Sequence, residues 1–197
     1  MTRAATTRAA LLGSARAVFT ASGFAEASIA EVVGGAGASV GSLYHPFGGK
    51  AELYLVLFED YQQRQEARAA AAVRQSRAEG VTEPVALFVA GGQAYLDGCW
   101  AERDLARLFL AGGGPPGFES VRRRRHREWT RRNATLLRHG PDDTGEPWGD
   151  ALVLVLTTVV SEAGHEVAVC EDEESATRLA GDVLELIGRI GRPRGAP

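Results

Sequence analysis

The stretch Ser28 to Lys50, S-I-A-E-V-V-G-G-A-G-A-S-V-G-S-L-Y-H-P-F-G-G-K, decides how the rest of the chain is read. Ser28 is a helix-capping residue, so a short helix is expected with Ile29, Val32 and Val33 turned inward, stopped by Gly34 and Gly35. Ser39 caps a second short helix, and Pro46, which cannot continue a helical hydrogen-bond ladder, is expected to end it. On this second helix only Leu43 faces inward. That leaves Val40, Gly41, Ser42, Tyr44 and His45 free to touch something else. Two short helices at a sharp corner, the second with an open polar side, are the anatomy of a helix-turn-helix. In such a unit the second helix enters the DNA major groove and the first crosses the phosphate backbone.

Outward from this stretch, Leu11, Leu12, Ala15 and Phe19 lay one apolar stripe on a first helix over residues 3–21, which Gly23 ends. A helix-turn-helix pair cannot bury a core alone, so this helix and the start of a fourth, with Leu53 and Leu57, are expected to sandwich it. From Lys50 the apolar residues Leu53, Tyr54, Leu57, Phe58 and Tyr61 repeat at helical spacing. The pattern dissolves into Arg, Gln and Ala over residues 62–79, and Gly80 closes the helix. Thr82 with Pro84 opens the next, with Val85, Phe88, Val89, Tyr95, Leu96 and Trp100 at its apolar positions. A shorter helix with Leu105, Leu108 and Phe109 runs into the loop Gly112-Gly113-Gly114-Pro115-Pro116.

Composition narrows the function classes. At 197 residues and 45% hydrophobic content the chain can bury a sizeable core. No internal repeat and no useful strand alternation is present, so the expected fold class is all-α, with about nine helices. The apolar run Ala151 to Val160 is too short to span a bilayer, and no apolar segment follows Arg3 and Arg8. A cytoplasmic chain with no membrane partner is expected. Cys99 and Cys170 lack Cys-x-x-Cys spacing and read as two reduced core thiols; His126 and His139 lack ligand spacing, so neither metal nor cofactor is expected.

Net charge is −3, but its distribution is uneven: residues 1–50 carry +2 and residues 51–197 carry −5. A basic head on an acidic body suits a DNA-binding domain whose body stays off the DNA. Lys50 is also the only lysine among 22 cationic side chains, which hints at a role that arginine fills less well.

The segment Phe118 to Arg138 packs seven arginines between positions 122 and 132. Three readings stay open for it: a solvated face paired with acids such as Glu119 and Glu128, a lining for a carboxylate- or phosphate-bearing ligand, or a second nucleic-acid surface. Trp129, Leu136 and Leu137 anchor it against disorder. After a loop from His139 to Pro147 come two final helices. Leu152, Val155, Leu156, Val159, Val160, Ala163 and Val167 form one stripe; Ala176, Leu179, Val183, Leu186, Ile187 and Ile190 form the other. Two strong terminal stripes are inner core or a face for a second copy, and a dimer bundle is the favoured reading. The tail from Gly191 is expected to fray.

The residues Phe19, Gly23-Phe24, Ser28, Val32, Ala36-Gly37-Ala38-Ser39, Gly41, Leu43-Tyr44, Phe47, Lys50 and Leu53 stand in the register of one known domain. Over about its first 55 residues the chain resembles the N-terminal domain of TetR-family transcriptional regulators. It departs at Val32-Val33, where Ile-Ala is usual, at Ala38, where Val is usual, and at Pro46, where a His often precedes the Phe.

The resemblance implies a helix-turn-helix DNA-binding domain over residues 1–50 and a helical effector-binding and dimerisation domain over 51–197. Together these would make a homodimeric, ligand-responsive regulator, a repressor on a palindromic double-stranded DNA operator, released by a small-molecule effector. By resemblance and position, Ser28, Tyr44 and Lys50, with the amides of Gly48 and Gly49, are expected at backbone phosphates, and Ser39 is counted with the DNA-binding residues. Val40, Ser42 and His45 are expected at base edges, with Gly41 allowing close approach. Replacing Lys50 with alanine is then expected to lower the salt dependence of DNA binding by about one phosphate contact. The resemblance also implies a pocket among the middle helices, for which Tyr61, Phe88, Tyr95, Trp100, Phe109, Phe118 and Trp129 are candidates. Plain core is the other reading for each.

Rival classes have weaker support. Ser161, Glu162 and His165 group on one helix and can be drawn as a catalytic set, but such groupings arise by chance on long helices. Gly35-Ala36-Gly37 follows no strand and lacks the spacing of a phosphate-cradling loop. A helical adaptor, or a small-molecule-binding protein without DNA binding, accounts for the terminal stripes and leaves Ser28 to Lys50 without a purpose.

Overall fold

The computed structural model describes residues 3–110, 112–138 and 150–190, and among these it is built of helices without a strand. In order they are α1 (Arg3–Glu26), α2 (Ile29–Gly35), α3 (Val40–Phe47), α4 (Lys50–Ala78), α5 (Pro84–Ala101), α6 (Arg103–Leu110), α7 (Phe118–Arg138), α8 (Asp150–Val169) and α9 (Glu173–Ile190). The expected loop from His139 and the tail from Gly191 lie outside the described residues.

Two compact units result. One holds the described residues up to Gln63 together with Arg107–Val121; the other holds Arg64–Ala106 and the described residues from Arg122 onward. This partition is one of compactness and differs in kind from the functional division expected at residue 50.

In the first unit α1, α2 and α3 pack on one another. Leu11, Ala15, Phe19, Val32, Leu43 and Phe47 are buried there, and the Ser14 hydroxyl donates to the Val32 carbonyl at 2.8 Å, tying α2 to α1. At Gly23 the helical path of α1 breaks, with φ 74° and ψ 175°, a conformation closed to side chains with a Cβ. The centre of the unit is Tyr54. Its ring meets Phe19, Phe24, Phe109 and Phe118 edge-on with centroids 5.2–5.3 Å apart. Its hydroxyl donates to the carbonyls of Gly113 at 2.9 Å and Leu108 at 3.3 Å. Burial of that ring pushes the phenol well above its ordinary pKa.

Two helix boundaries differ from the sequence reading. α3 runs through Pro46 to Phe47 and is closed by Gly48 in the left-handed conformation, whose amide donates to the Tyr44 carbonyl at 2.9 Å. Pro46 has a helical φ and is exposed, so it deprives the helix of one N–H and not of its last turn. α5 is capped by Glu83, not Thr82: the Glu83 carboxylate accepts from the Val85 amide at 3.0 Å and the Ala86 amide at 2.5 Å. A carboxylate there also meets the positive end of the helix dipole.

In the second unit α5, α8 and α9 pack pairwise. α8 approaches α5 so closely that a Cβ on Gly164 would stand 2.7 Å from the Tyr95 ring. Where the sequence reading saw a ten-residue apolar run, the helix is 20 residues long and, by length and composition alone, could cross a membrane. Its inward side, with Val153, Leu156, Val160, Val167 and Ala168, is instead buried as in a core helix. Cys99 is buried, whereas Cys170 is half-buried past the end of α8 with its thiol on the Glu166 carbonyl, so only one of the two thiols belongs to the core.

Glu102, only 7% exposed at the end of α5, is held by Arg64 at 2.8 Å and Arg68 at 2.6 Å. Burial by itself would raise its pKa; the hydrogen bonds and charge of the two guanidinium groups outweigh that and hold it below the ordinary 4.5. Because the folded form binds its proton less readily than the unfolded chain, Glu102 stabilises above the ordinary value and loses that contribution as pH falls below it. Thermal melts between pH 6 and 3 should therefore show a steeper acid loss for the parent than for Glu102→Gln. Parallel curves would refute this coupling.

Candidate functional site

α3 is set up by two serine caps. Ser28 and Glu31 form a reciprocal box at the head of α2: the Glu31 amide donates to the Ser28 hydroxyl oxygen at 3.2 Å, and the Ser28 amide donates to the Glu31 carboxylate at 2.9 Å. The Ser28 hydroxyl, which donates to the same carboxylate at 2.7 Å, and after it the Ser28 amide hold the Glu31 carboxyl below its ordinary range. Ser39 accepts from the Ser42 amide at 3.2 Å, and the two hydroxyls lie 2.8 Å apart. Both serines are thus the helix caps that the sequence suggests.

The outward side of α3 is open. Val40 and Tyr44 are each 49% exposed, Gly41 and His45 are exposed and Ser42 is half-buried. Leu43 and Phe47 hold the inward side. Beside this surface, Ala4, Thr7 and Arg8 of α1 join Ser42, His45 and Pro46 around a groove of about 310 Å³. Arg8 lies over the Phe47 ring, 5.4 Å from its centroid, which keeps a cation at the edge of α3. In sequence Arg8 shows only as part of a basic head, since nothing local ties residue 8 to residue 47.

Lys50 is engaged within the fold. Its ammonium donates to the carbonyls of Phe24 at 2.8 Å, Ala27 at 2.8 Å and Ala25 at 3.2 Å, and lies 4.5 Å from the centre of the Phe24 ring. An ammonium has three donors, and all three are used. These carbonyls lie at and just past the end of α1, beyond the break at Gly23, where helical partners run out. Lys50 therefore caps the end of α1 from a distance. At the start of α4 a Cβ on Gly49 would also stand 3.2 Å from a Glu52 carboxylate oxygen, so an anion already sits near those amides.

The seven aromatic candidates divide. Tyr61, Phe109 and Phe118 are buried in the first unit, where Phe109 meets Tyr61 and Phe118 meets Phe58. In the second unit Phe88 and Trp129 line a cavity of about 300 Å³ built by α4, α5, α7 and α8. Tyr95 meets the Trp129 ring in a tilted contact, centroids 4.9 Å apart, and Trp100 lies under the Arg103 guanidinium at 4.4 Å. The cavity wall is apolar, with Ala69, Val73, Leu136 and Val160. Arg74, Arg77, Arg132, Glu66 and Asn133 stand among these, and Asn133 donates to Thr157 at 3.1 Å.

The arginine-rich segment of α7 resolves residue by residue. Arg125 pairs with Glu128 at 2.9 Å, and Arg132 crosses to Glu66. Arg123, Arg127 and Arg131, four residues apart in turn, face solvent. His126 lies half-buried beside Arg122, and desolvation first, that charge second, lower its pKa from 6.5.

The terminal stripes also divide. Leu156, Val160, Ala163, Val167 and Ile187 are buried within the subunit; Leu152, Leu179 and Val183 are half-buried. Val155, Val159, Leu186 and Ile190 are 42–56% exposed. On α8 the His165 Nδ1 atom is buried without a hydrogen-bond partner, so Ser161, Glu162 and His165 do not assemble as a relay through it.

Comparison with known proteins agrees with this geometry. The model of bacterial regulatory proteins of the TetR family matches residues 11–57, the span that holds α2 and α3. A TetR-family transcriptional regulator from Pectobacterium atrosepticum is 27% identical, with a TM-score of 0.64 over 98% of this chain and 100% of that one. A TetR-family regulatory protein from Rhodococcus RHA1 is 16% identical, with a TM-score of 0.69 over 96% and 97%. A transcriptional regulator from Aquifex aeolicus VF5 is 17% identical, with a TM-score of 0.67 over 93% and 99%. No curated protein matches the chain in sequence. The matched segment coincides with the capped helix pair, so residues 11–57 carry the N-terminal domain of bacterial regulatory proteins of the TetR family, and the likeness in fold to such regulators runs nearly end to end.

Proposed function

We propose that this regulator is a homodimeric repressor that reads a palindromic operator with α3 and leaves it when a small molecule occupies the cavity of the second unit. The observation that carries the reading is the open side of α3, where Val40, Gly41, Ser42, Tyr44 and His45 are available while Leu43 and Phe47 are buried. Tyr44 and Arg8 serve backbone phosphates. Val40, Ser42 and His45 meet base edges, and none of these is a bidentate reader such as Arg or Asn, so half-site spacing and DNA shape carry much of the specificity.

Functionally the chain divides at residue 50, with residues 51–197 serving effector binding and dimerisation. Val155, Val159, Leu186 and Ile190 support a two-fold contact, which a palindrome requires. Effector and operator affinities then oppose each other to the same degree.

Band shifts on the DNA flanking its own gene test this reading. Tyr44→Ala is expected to weaken binding about tenfold at unchanged thermal stability, the loss of one phosphate contact and its packing. A parent protein that shifts none of that DNA would defeat the proposal.

A further inference from the structure

The cavity of the second unit combines two chemistries that call for one kind of occupant. Its wall is hydrocarbon and aromatic, with Phe88 of α5 and Trp129 of α7, and at about 300 Å³ it sits at the lower end of small-molecule sites. Three guanidinium groups, those of Arg74, Arg77 and Arg132, stand against a single carboxylate, Glu66. Arg132 and Glu66 already pair with each other. Arg74 and Arg77 are exposed, one helical turn apart on α4, and neither guanidinium makes a hydrogen bond or ion pair among the described residues. Two like charges at that spacing repel, and an anion placed between them relieves the repulsion.

Resting on the effector reading above, we infer that the ligand of this cavity is a small apolar molecule with an anionic head. Its body lies between Phe88 and Trp129, and its carboxylate or phosphate lies at Arg74 and Arg77. A cationic ligand would meet two unneutralised guanidinium groups, and a neutral one would leave them as they are. Arg123, Arg127 and Arg131 of α7 face solvent and take no part.

The test titrates the full chain with octanoate, octyl phosphate, octanol and octylamine, following Trp fluorescence and heat, with operator release measured in parallel. Octanoate or octyl phosphate should bind about tenfold more tightly than octanol, and octylamine most weakly. Whichever anion is tighter identifies the head. The advantage should vanish in R74Q/R77Q, whose exposed positions leave the melting temperature unchanged, and persist in R123Q/R127Q. Octanol binding as tightly as both anions, no binding by any of the four, or an anion preference that survives R74Q/R77Q each overturns the inference. If octanol binds equally and still releases the operator, the effector reading stands without the charge preference. If an anion binds through Arg74 and Arg77 while the operator stays bound, the anion site stands and the effector reading falls.

Discussion

Replacing Lys50 with alanine is expected to cost the first unit about 2–3 kcal/mol, the scale of charge-assisted bonds removed while their carbonyl partners stay partly buried. Lys50→Arg should recover less than half of this. Three carbonyls converge on one nitrogen here, at 2.8–3.2 Å, and a tetrahedral ammonium can aim a proton at each. A planar guanidinium cannot. In a chain with 21 arginines and one lysine, this is a physical reason for the lysine to stand where it does. Urea denaturation of the parent and both variants measures the effect, and an arginine variant as stable as the parent would refute it. At temperatures where Lys50→Ala is folded, its salt dependence of DNA binding should match the parent's, because the ammonium is already committed.

A second large effect is expected at the exposed apolar face of α8 and α9. Val159 and Leu186 are 42% and 55% exposed, so Val159→Glu with Leu186→Glu removes little from the subunit's own core. In a two-fold contact each substitution occurs twice and sets four charges into the centre of the face. The dimer dissociation constant should rise about a hundredfold or more, roughly 2.8 kcal/mol, and operator affinity should fall with it. Sedimentation at micromolar concentration reads the first and band shifts the second. A variant that remains dimeric would remove this face from the interface.

What could be read in the sequence was what local chemistry decides. Ser28 and Ser39 act within three residues of themselves, so the helix pair and its open side were legible, as were the break at Gly23 and the end of α4 before Gly80. What depended on distant partners was not. The role of Lys50 rests on carbonyls 23 to 26 residues away, so sequence could mark it as unusual but not say why. Aromatic type alone could not tell the rings of one core from those of another, and Phe109 and Phe118 went to the first unit while Phe88 and Trp129 lined the cavity. In α8, helical spacing marked a stripe wider than one packing contact. Only neighbours decide that Leu156 goes in while Val155 stays out.

Tyr54 draws its ring partners from both Phe19 and Phe24 and from Phe109 and Phe118, and its hydroxyl acceptors from Leu108 and Gly113. The DNA-reading part is therefore no portable cassette. A graft that crossed over partway along α4 would carry Tyr54 into a host lacking its other half, leaving aromatic surface wet and a phenol without its acceptors. Recombination between relatives that exchanges operator specificity must move the stretch around residues 107–121 along with the N-terminus, or confine itself to the outward residues of α3.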